Sequence, residues 1–216
     1  MSKARRILVI CSAVVLAVGL AMLLVLSDGG GASSETRSET TACPSVGRAS
    51  AFLSSGPTFG SLDQMVATAD LVVMGTVTDV RGGEVDAAGT PEEVRDLNTA
   101  VGVEEVLKGA ASGDPVIVKT QELAYSGPGD AEWRRSGERV LLFLSRSRER
   151  DTRGLYIVAG ISYDQAAYLR RDDELCATRK DPLSARVASL SVPELRREVE
   201  EAEARAARGE VKPLEF

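Results

Sequence analysis

Histidine is absent from all 216 residues of the chain. That absence excludes His-based triads, imidazole general bases, nearly all catalytic zinc sites and the usual pH switch. Aromatic residues are scarce, with 4 Phe, 4 Tyr and 1 Trp, too few to suggest a surface on which bases stack. Basic charge is short as well. Residues 1–27 hold Lys3, Arg5 and Arg6 and no acid, and the other 23 basic and 32 acidic side chains leave the rest of the chain at −9. A phosphate backbone needs clustered Lys and Arg, so no nucleic acid partner is expected. Cysteine is limited to three residues. Cys11 falls inside an apolar run, where it serves as a small apolar residue, while Cys43 and Cys176 lie beyond that run. In an oxidising compartment two such thiols point to a disulfide, the alternative being two unpaired cysteines.

Long apolar runs are also missing, with one exception. Ile7 to Leu26 carries no charge and follows Lys3, Arg5 and Arg6. As a helix it would span about 30 Å, the thickness of a hydrocarbon core. The basic residues before it place residues 1–6 in the cytoplasm and the remainder outside. The run is longer than a usual signal core, and Val25-Leu26-Ser27-Asp28 lacks a small-x-small cleavage pattern. A single-pass anchor over 7–26 is therefore expected, the alternative being secretion after signal cleavage. Residues 27–50, with Gly29-Gly30-Gly31 and then Ser, Thr and Glu, have the composition of a flexible linker and would reach on the order of 27 Å.

Residues 51–180 read as one extracytoplasmic β-domain. Ser61-Leu62-Asp63-Gln64 has capping-box spacing, and Leu62, Met65, Val66 and Ala69 repeat at helical spacing. Ala69 to Val80 is β-branched and apolar, with Gly75 marking a bulge or bend. The residues from 82 to 96 form an acidic, glycine-containing insert, and Thr90-Pro91-Glu92-Glu93 could open one helical turn. Further strands are expected at Leu97–Leu107, Pro115–Glu122, Arg139–Leu144 and Leu155–Ala159, with a short sixth at Ala166–Arg170. Residues 181–216 hold a C-terminal helix and tail. Its start is Ser191-Val192-Pro193-Glu194, its apolar stripe is Leu195, Val199, Ala202 and Ala206, and Gly209 stops it. Arg197 with Glu201 and Arg196 with Glu200 are the expected surface pairs. Five or six short strands flanked by a short and a longer helix predict a mainly β protein, a small closed or nearly closed barrel.

A cysteine, a short helix, Ala69-Asp70-Leu71-Val72-Val73-Met74-Gly75-Thr76-Val77, then Val103-Glu104-Glu105-Val106-Leu107-Lys108-Gly109, then Gly137-Glu138-Arg139-Val140-Leu141-Leu142-Phe143-Leu144 follow in that order. The arrangement resembles the bacterial members of the netrin-module and tissue-inhibitor-of-metalloproteinases superfamily. The resemblance covers roughly Cys43 to Arg170 and implies an OB-like five-stranded barrel. The inhibitors of that superfamily begin their mature chain with Cys-x-Cys and chelate the protease zinc through its free amine. Here Cys43 is followed by Pro44 and Ser45, so an inhibitory role would require cleavage directly before Cys43.

The expected function is thus a membrane-anchored extracytoplasmic binding module without catalytic activity. It would meet the membrane through 7–26 and an envelope or secreted protein through its domain, with no cofactor and no metal. A protease inhibitor is the alternative. An enzyme is the remaining one, which without histidine reduces to a Ser–Lys dyad or a carboxylate pair. Lys108 reads better as a turn residue beside Gly109, Lys119 as the exposed side of a strand, and Asp172-Asp173-Glu174 as a polar turn rather than a cation site.

Overall fold

The computed structural model describes Cys43 and residues 58–90, 93–123, 132–148, 154–159 and 163–215. The expected membrane span at 7–26 and, apart from Cys43, the linker at 27–50 lie outside the described residues. No helix among the described residues is long and apolar enough to cross a membrane.

The chain enters the domain through a short helix, α1 (Leu62–Thr68). Ser61 Oγ accepts the Gln64 N–H at 3.1 Å, while the Gln64 side chain reaches one residue further back than a capping box requires and accepts the Gly60 N–H at 3.0 Å. Leu62, Met65 and Val66 form its buried face. Strand β1 (Leu71–Asp86) comes next, then β2 (Val94–Lys108), β3 (Val116–Leu123), β4 (Arg139–Arg146), β5 (Tyr156–Val158), β6 (Ala167–Arg171) and β7 (Glu174–Ala177). Two helices close the chain, α2 (Pro182–Ala188) and α3 (Val192–Ala207).

Pairing closes five of these strands into a ring. β1 pairs antiparallel with β2 and β4, β2 with β3, and β4 with β5, while β3 meets β5 in parallel at Val118–Tyr156 and Lys119–Ile157. Closure satisfies the backbone of strands as apolar as Leu71–Met74 and Val140–Leu144 without leaving their edges bare. β6 continues along the edge of β4 that β5 has left, and β7 folds back on β6 through the Asp172-Asp173 turn. Leu141 to Leu144 and Leu71 to Met74 are all buried, and Phe143 meets Tyr168 edge-on at 6.2 Å. Buried Trp133, just before β4, joins the same core.

Gly75 is the bulge expected from the sequence. The β1–β2 register shifts between Met74 and Gly75, and a Cβ at Gly75 would stand 2.3 Å from the Gly102 carbonyl oxygen. Only glycine lets the two backbones approach this closely.

Several expectations need correction. The stretch from 82 to 96 is not wholly a loop: β1 runs on to Asp86 and β2 starts at Val94, so the two strands form a long hairpin turned over Ala87 and Gly89, both at positive φ. Gly82 and Gly83 have the composition of a turn, yet pairing of Gly82 with Leu97 and, after a register shift, of Val85 with Arg95 keeps the strand going through them. The closed ring has five strands, as expected, but among the described residues a seventh strand also occurs: the acidic stretch after Arg171 opens β7, which lies outside the ring with β6. Residues 181–216 hold two helices. Asp181 caps the first, accepting the Leu183 and Ser184 N–H groups at 3.0 Å each, with Pro182 in its first turn. In α3, Leu195, Val199 and Ala202 are buried as expected, and Gly209 lies just past the last turn at φ +74. Arg197 pairs with Glu201, but Arg196 turns from Glu200 to Glu105 on β2. Contact with the sheet outcompetes a pairing along the helix surface, which is worth only a few tenths of a kcal/mol, about 0.3 to 0.5.

Candidate functional site

Where β3, β5 and β4 lie side by side, the barrel carries a groove of about 640 Å³. A groove of that size falls in the range that holds small ligands or a short length of peptide. β3 contributes Lys119 and Gln121, β5 contributes Ile157 and the end of β4 contributes Ser145 and Arg146, with Ser147 and Arg148 beyond it. One end is formed by Thr68 and Asp70 after α1, and by Pro213, Leu214 and Glu215, which cross it.

Hydrogen bonds fix this end of the groove. Asp70 donates its N–H to the Leu144 carbonyl at 2.8 Å, and its Oδ2 accepts the Arg146 N–H at 2.8 Å. Ser145 Oγ donates to the Thr68 carbonyl at 3.2 Å. Thr68 Oγ1 donates to the Gln64 carbonyl and accepts the Leu214 N–H at 2.8 Å, which holds residues 213–215 in place. On the opposite side, Lys119 Nζ stands 3.0 Å from Asp96 Oδ2. The Ser147 N–H donates to the Leu155 carbonyl at 3.0 Å, so the extended path of β4 carries on past its last ladder pair. Arg146 and Arg148 form no ion pair with any described residue, whereas Arg139, Arg170, Arg171, Arg196 and Arg205 each face a carboxylate.

The residues singled out in the sequence are spread across the domain. Cys43 is bonded to Cys176 on β7, with Cα atoms 5.4 Å apart across 133 residues of chain. Lys108 is not simply a turn residue. Its ammonium donates to the Val66 carbonyl at 2.5 Å and the Ala69 carbonyl at 2.6 Å, the last carbonyls of α1, which have no partner within the helix. Burial pushes the Lys108 pKa down, and the negative charges of Glu203 and Asp70 oppose that shift. Lys119, expected on an exposed face, is engaged with Asp96. Asp172 and Asp173 form the β6–β7 turn, with Asp172 at φ +51. Among the described residues no group of three or more Cys, Asp or Glu side chains is placed to hold a metal ion.

Two other polar clusters stand apart from the groove. Gln165 accepts the Phe59 N–H at 2.7 Å and donates to the Phe59 carbonyl and to Asp181. Ser184, fully buried, donates its hydroxyl to Asp181 Oδ2 at 2.6 Å. Burial raises the Asp181 pKa, but the Ser184 hydroxyl and N–H and the Gln165 amide outweigh it and leave the net shift downward. This serine–carboxylate pair ties Phe59, β6 and α2 together, and its hydroxyl is closed off from any substrate. On the outer face of the sheet, Glu104 accepts the Thr76 hydroxyl at 2.6 Å and faces Arg139 and Arg170 at 3.4 Å each. The Thr76 hydroxyl is the largest influence and, together with the two guanidiniums, holds its carboxyl below the usual value against the opposing effect of burial.

Sequence reasoning ended the fourth strand at Leu144 and gave Arg146 and Arg148 no role. The signal was there in Ser145-Arg146-Ser147-Arg148, which keeps the two-residue period of β4 beyond its apolar segment. The chain matches no protein-family model, and no curated protein is significantly similar to it.

Proposed function

We propose that this protein is a membrane-anchored extracytoplasmic binding module, built on an OB-like barrel and without catalytic activity, whose recognition surface is the groove across β5. The groove carries the reading: it is a cleft of about 640 Å³ on a closed sheet, and Arg146 and Arg148 beside it make no ion pair with any described residue. The Ser184–Asp181 pair and the Lys108 ammonium are spent on caps and cross-links. The ring order β1-β2-β3-β5-β4, with its single parallel contact, supports the OB-like description. The Cys43–Cys176 bridge supports an extracytoplasmic location, since such bridges persist where the surroundings oxidise. The basic and apolar start of the chain supports the anchor.

The location is tested by fractionating cells that make the full chain and alkylating free thiols before lysis. The expected result is a membrane-bound protein with an intact N-terminal sequence and with Cys43 and Cys176 protected from alkylation. A soluble cytoplasmic protein with both thiols modified would overturn it. Binding is tested by crosslinking the full chain in envelope preparations. Recovery of one discrete partner is expected, and no adduct from correctly oxidised protein would sink the binding reading.

A further inference from the structure

The outer margin of the β1–β2 hairpin is an open strand edge, and we propose that it takes up an extended basic segment of a partner protein as an added strand. Within the hairpin β2 lies between this edge and the groove, so the inference does not depend on the groove.

Three observations carry it. First, the backbone has room for another strand. β1 pairs with β2 as far as Asp86, but its ladder with β4 stops at Thr76–Arg139. The last bonds on that side join Val77 to Gly137 and Glu138 and the Thr78 carbonyl to the Ser136 hydroxyl at 3.2 Å. From Asp79 to Asp86 the strand has β2 on one side and no strand among the described residues on the other. That edge is about 26 Å long, enough for a partner strand of ordinary length. Second, the edge holds uncommitted negative charge. Asp79 accepts Arg81 Nε at 2.6 Å, so those two cancel. Glu84 and Asp86 are exposed and form no ion pair with any described residue. Third, Val85 between them is one of the two exposed large apolar side chains among the described residues, and Val80 is only half-buried. An added strand gives both the second neighbour that the inner half of β1 already has in β4.

Charge decides the occupant. A second copy of this chain would bring the same acids to the joint, and like charges facing one another across a ladder destabilise it. An acidic segment is turned away for the same reason. The chain beyond residue 27 carries −9, which steers a cationic partner toward it. In strand addition the main chain supplies affinity and the alternate side chains supply selectivity. Charges on a bare edge keep other strands away, but this guard is of one sign and admits basic strands.

The test uses the full chain in neutral detergent, with its disulfide intact, and an end-blocked fluorescent peptide of alternating Lys and Thr followed by anisotropy at low salt. Two comparisons accompany it: the peptide with Gln for Lys, which lacks the charge, and a backbone N-methylated copy, which cannot pair as a strand. The Lys peptide is expected to bind at least about fivefold more tightly than either, and to slow amide exchange in residues 79–86. Glu84→Gln with Asp86→Asn is expected to weaken binding at least about threefold. Asp172→Asn with Asp173→Asn removes as much charge from the β6–β7 turn and is expected to change binding by less than about 1.5-fold. Thermal melts that agree between the variants show that the loss is not unfolding. Equal binding of the N-methylated copy, protection confined to residues outside 79–86, equal losses in the two double variants, or no binding up to roughly 1 mM would overturn the proposal. So would tighter binding of a peptide of alternating Glu and Thr.

Discussion

The two halves of β1 belong to one continuous strand and live in different surroundings. From Leu71 to Val77 every residue but Thr76 is buried; from Thr78 to Asp86 every residue is half-exposed or exposed. Both halves pair with β2. Only the first also pairs with β4, whose ladder with β1 ends at Thr76–Arg139. Composition changes at the same point, from Leu-Val-Val-Met-Gly-Thr-Val to Thr-Asp-Val-Arg-Gly-Gly-Glu-Val-Asp. Backbone pairing alone therefore sustains a strand, but burial needs a neighbour on each side. The proximal half is held by apolar transfer, worth about 1.5 to 3 kcal/mol for each large buried side chain. The distal half has little to hold it beyond its ladder with β2.

The sharpest way to break this contrast is to truncate one side chain in each half. Met74→Ala is expected to cost about 3 kcal/mol, and Val85→Ala, where the residue is 39% exposed, less than about 0.5. Urea unfolding of the oxidised protein measures both; equal losses would erase the distinction. Next come the two glycines. Gly75→Ala drives a Cβ into the Gly102 backbone and should cost about 2 kcal/mol. At Gly82 nothing lies within 4 Å of the new carbon, so Gly82→Ala should leave stability unchanged or raise it by up to about 1 kcal/mol.

A smaller effect is expected at the other end of β2. Lys108→Met strips the last carbonyls of α1 of their donor and should cost about 1 kcal/mol in a thermal melt. Because burial depresses the Lys108 pKa in the folded chain, the unfolded chain binds more protons between that depressed value and the ordinary lysine value. Stability should therefore rise with pH through this window. Lys108→Met should flatten the rise, and an unchanged slope would refute the assignment. The slightest effect concerns Glu104. Its folded pKa is lowered, so its contribution is complete above the ordinary glutamate value and is lost as pH falls through the lower one. Acid titration of Glu104→Gln should show a shallower loss of stability than the unaltered chain, and identical curves would show that the Thr76 hydroxyl and the two arginines give it nothing.

Much of the barrel could be read before the structure because it obeys local rules. A β-branched run marks β1 and an apolar run marks β4, glycines mark the bulge and the helix stop, and two serine caps mark α1 and α3. The missed elements failed for identifiable reasons. Asp181 followed by Pro182 announces α2 by the same capping rule that finds α3, yet seven residues leave too little helical periodicity to confirm it. The extended hairpin at 82–96 was hidden by Gly82 and Gly83, since glycine weakens a strand on its own and only pairing with β2 on either side of an irregularity carries the strand through. β7 is too short and too close to the Asp172-Asp173 turn to register alone. The groove could not be read from the chain at all, because Lys119, Arg146, Ile157 and Leu214 come from four separate segments. Only the order of strands in the ring brings them together.

The sulfur bridge between Cys43 and Cys176 also decides how the molecule carries mechanical load. A stretching force applied ahead of Cys43 and at the far end of the chain passes straight across the bridge to β7. The loop it closes contains α1 and every strand from β1 to β6. While the bond holds, such a force can unravel only the segment beyond Cys176, chiefly α2 and α3, and the barrel is bypassed. Reduction would put the whole domain in series with the pull, and a single-molecule extension trace would lengthen accordingly.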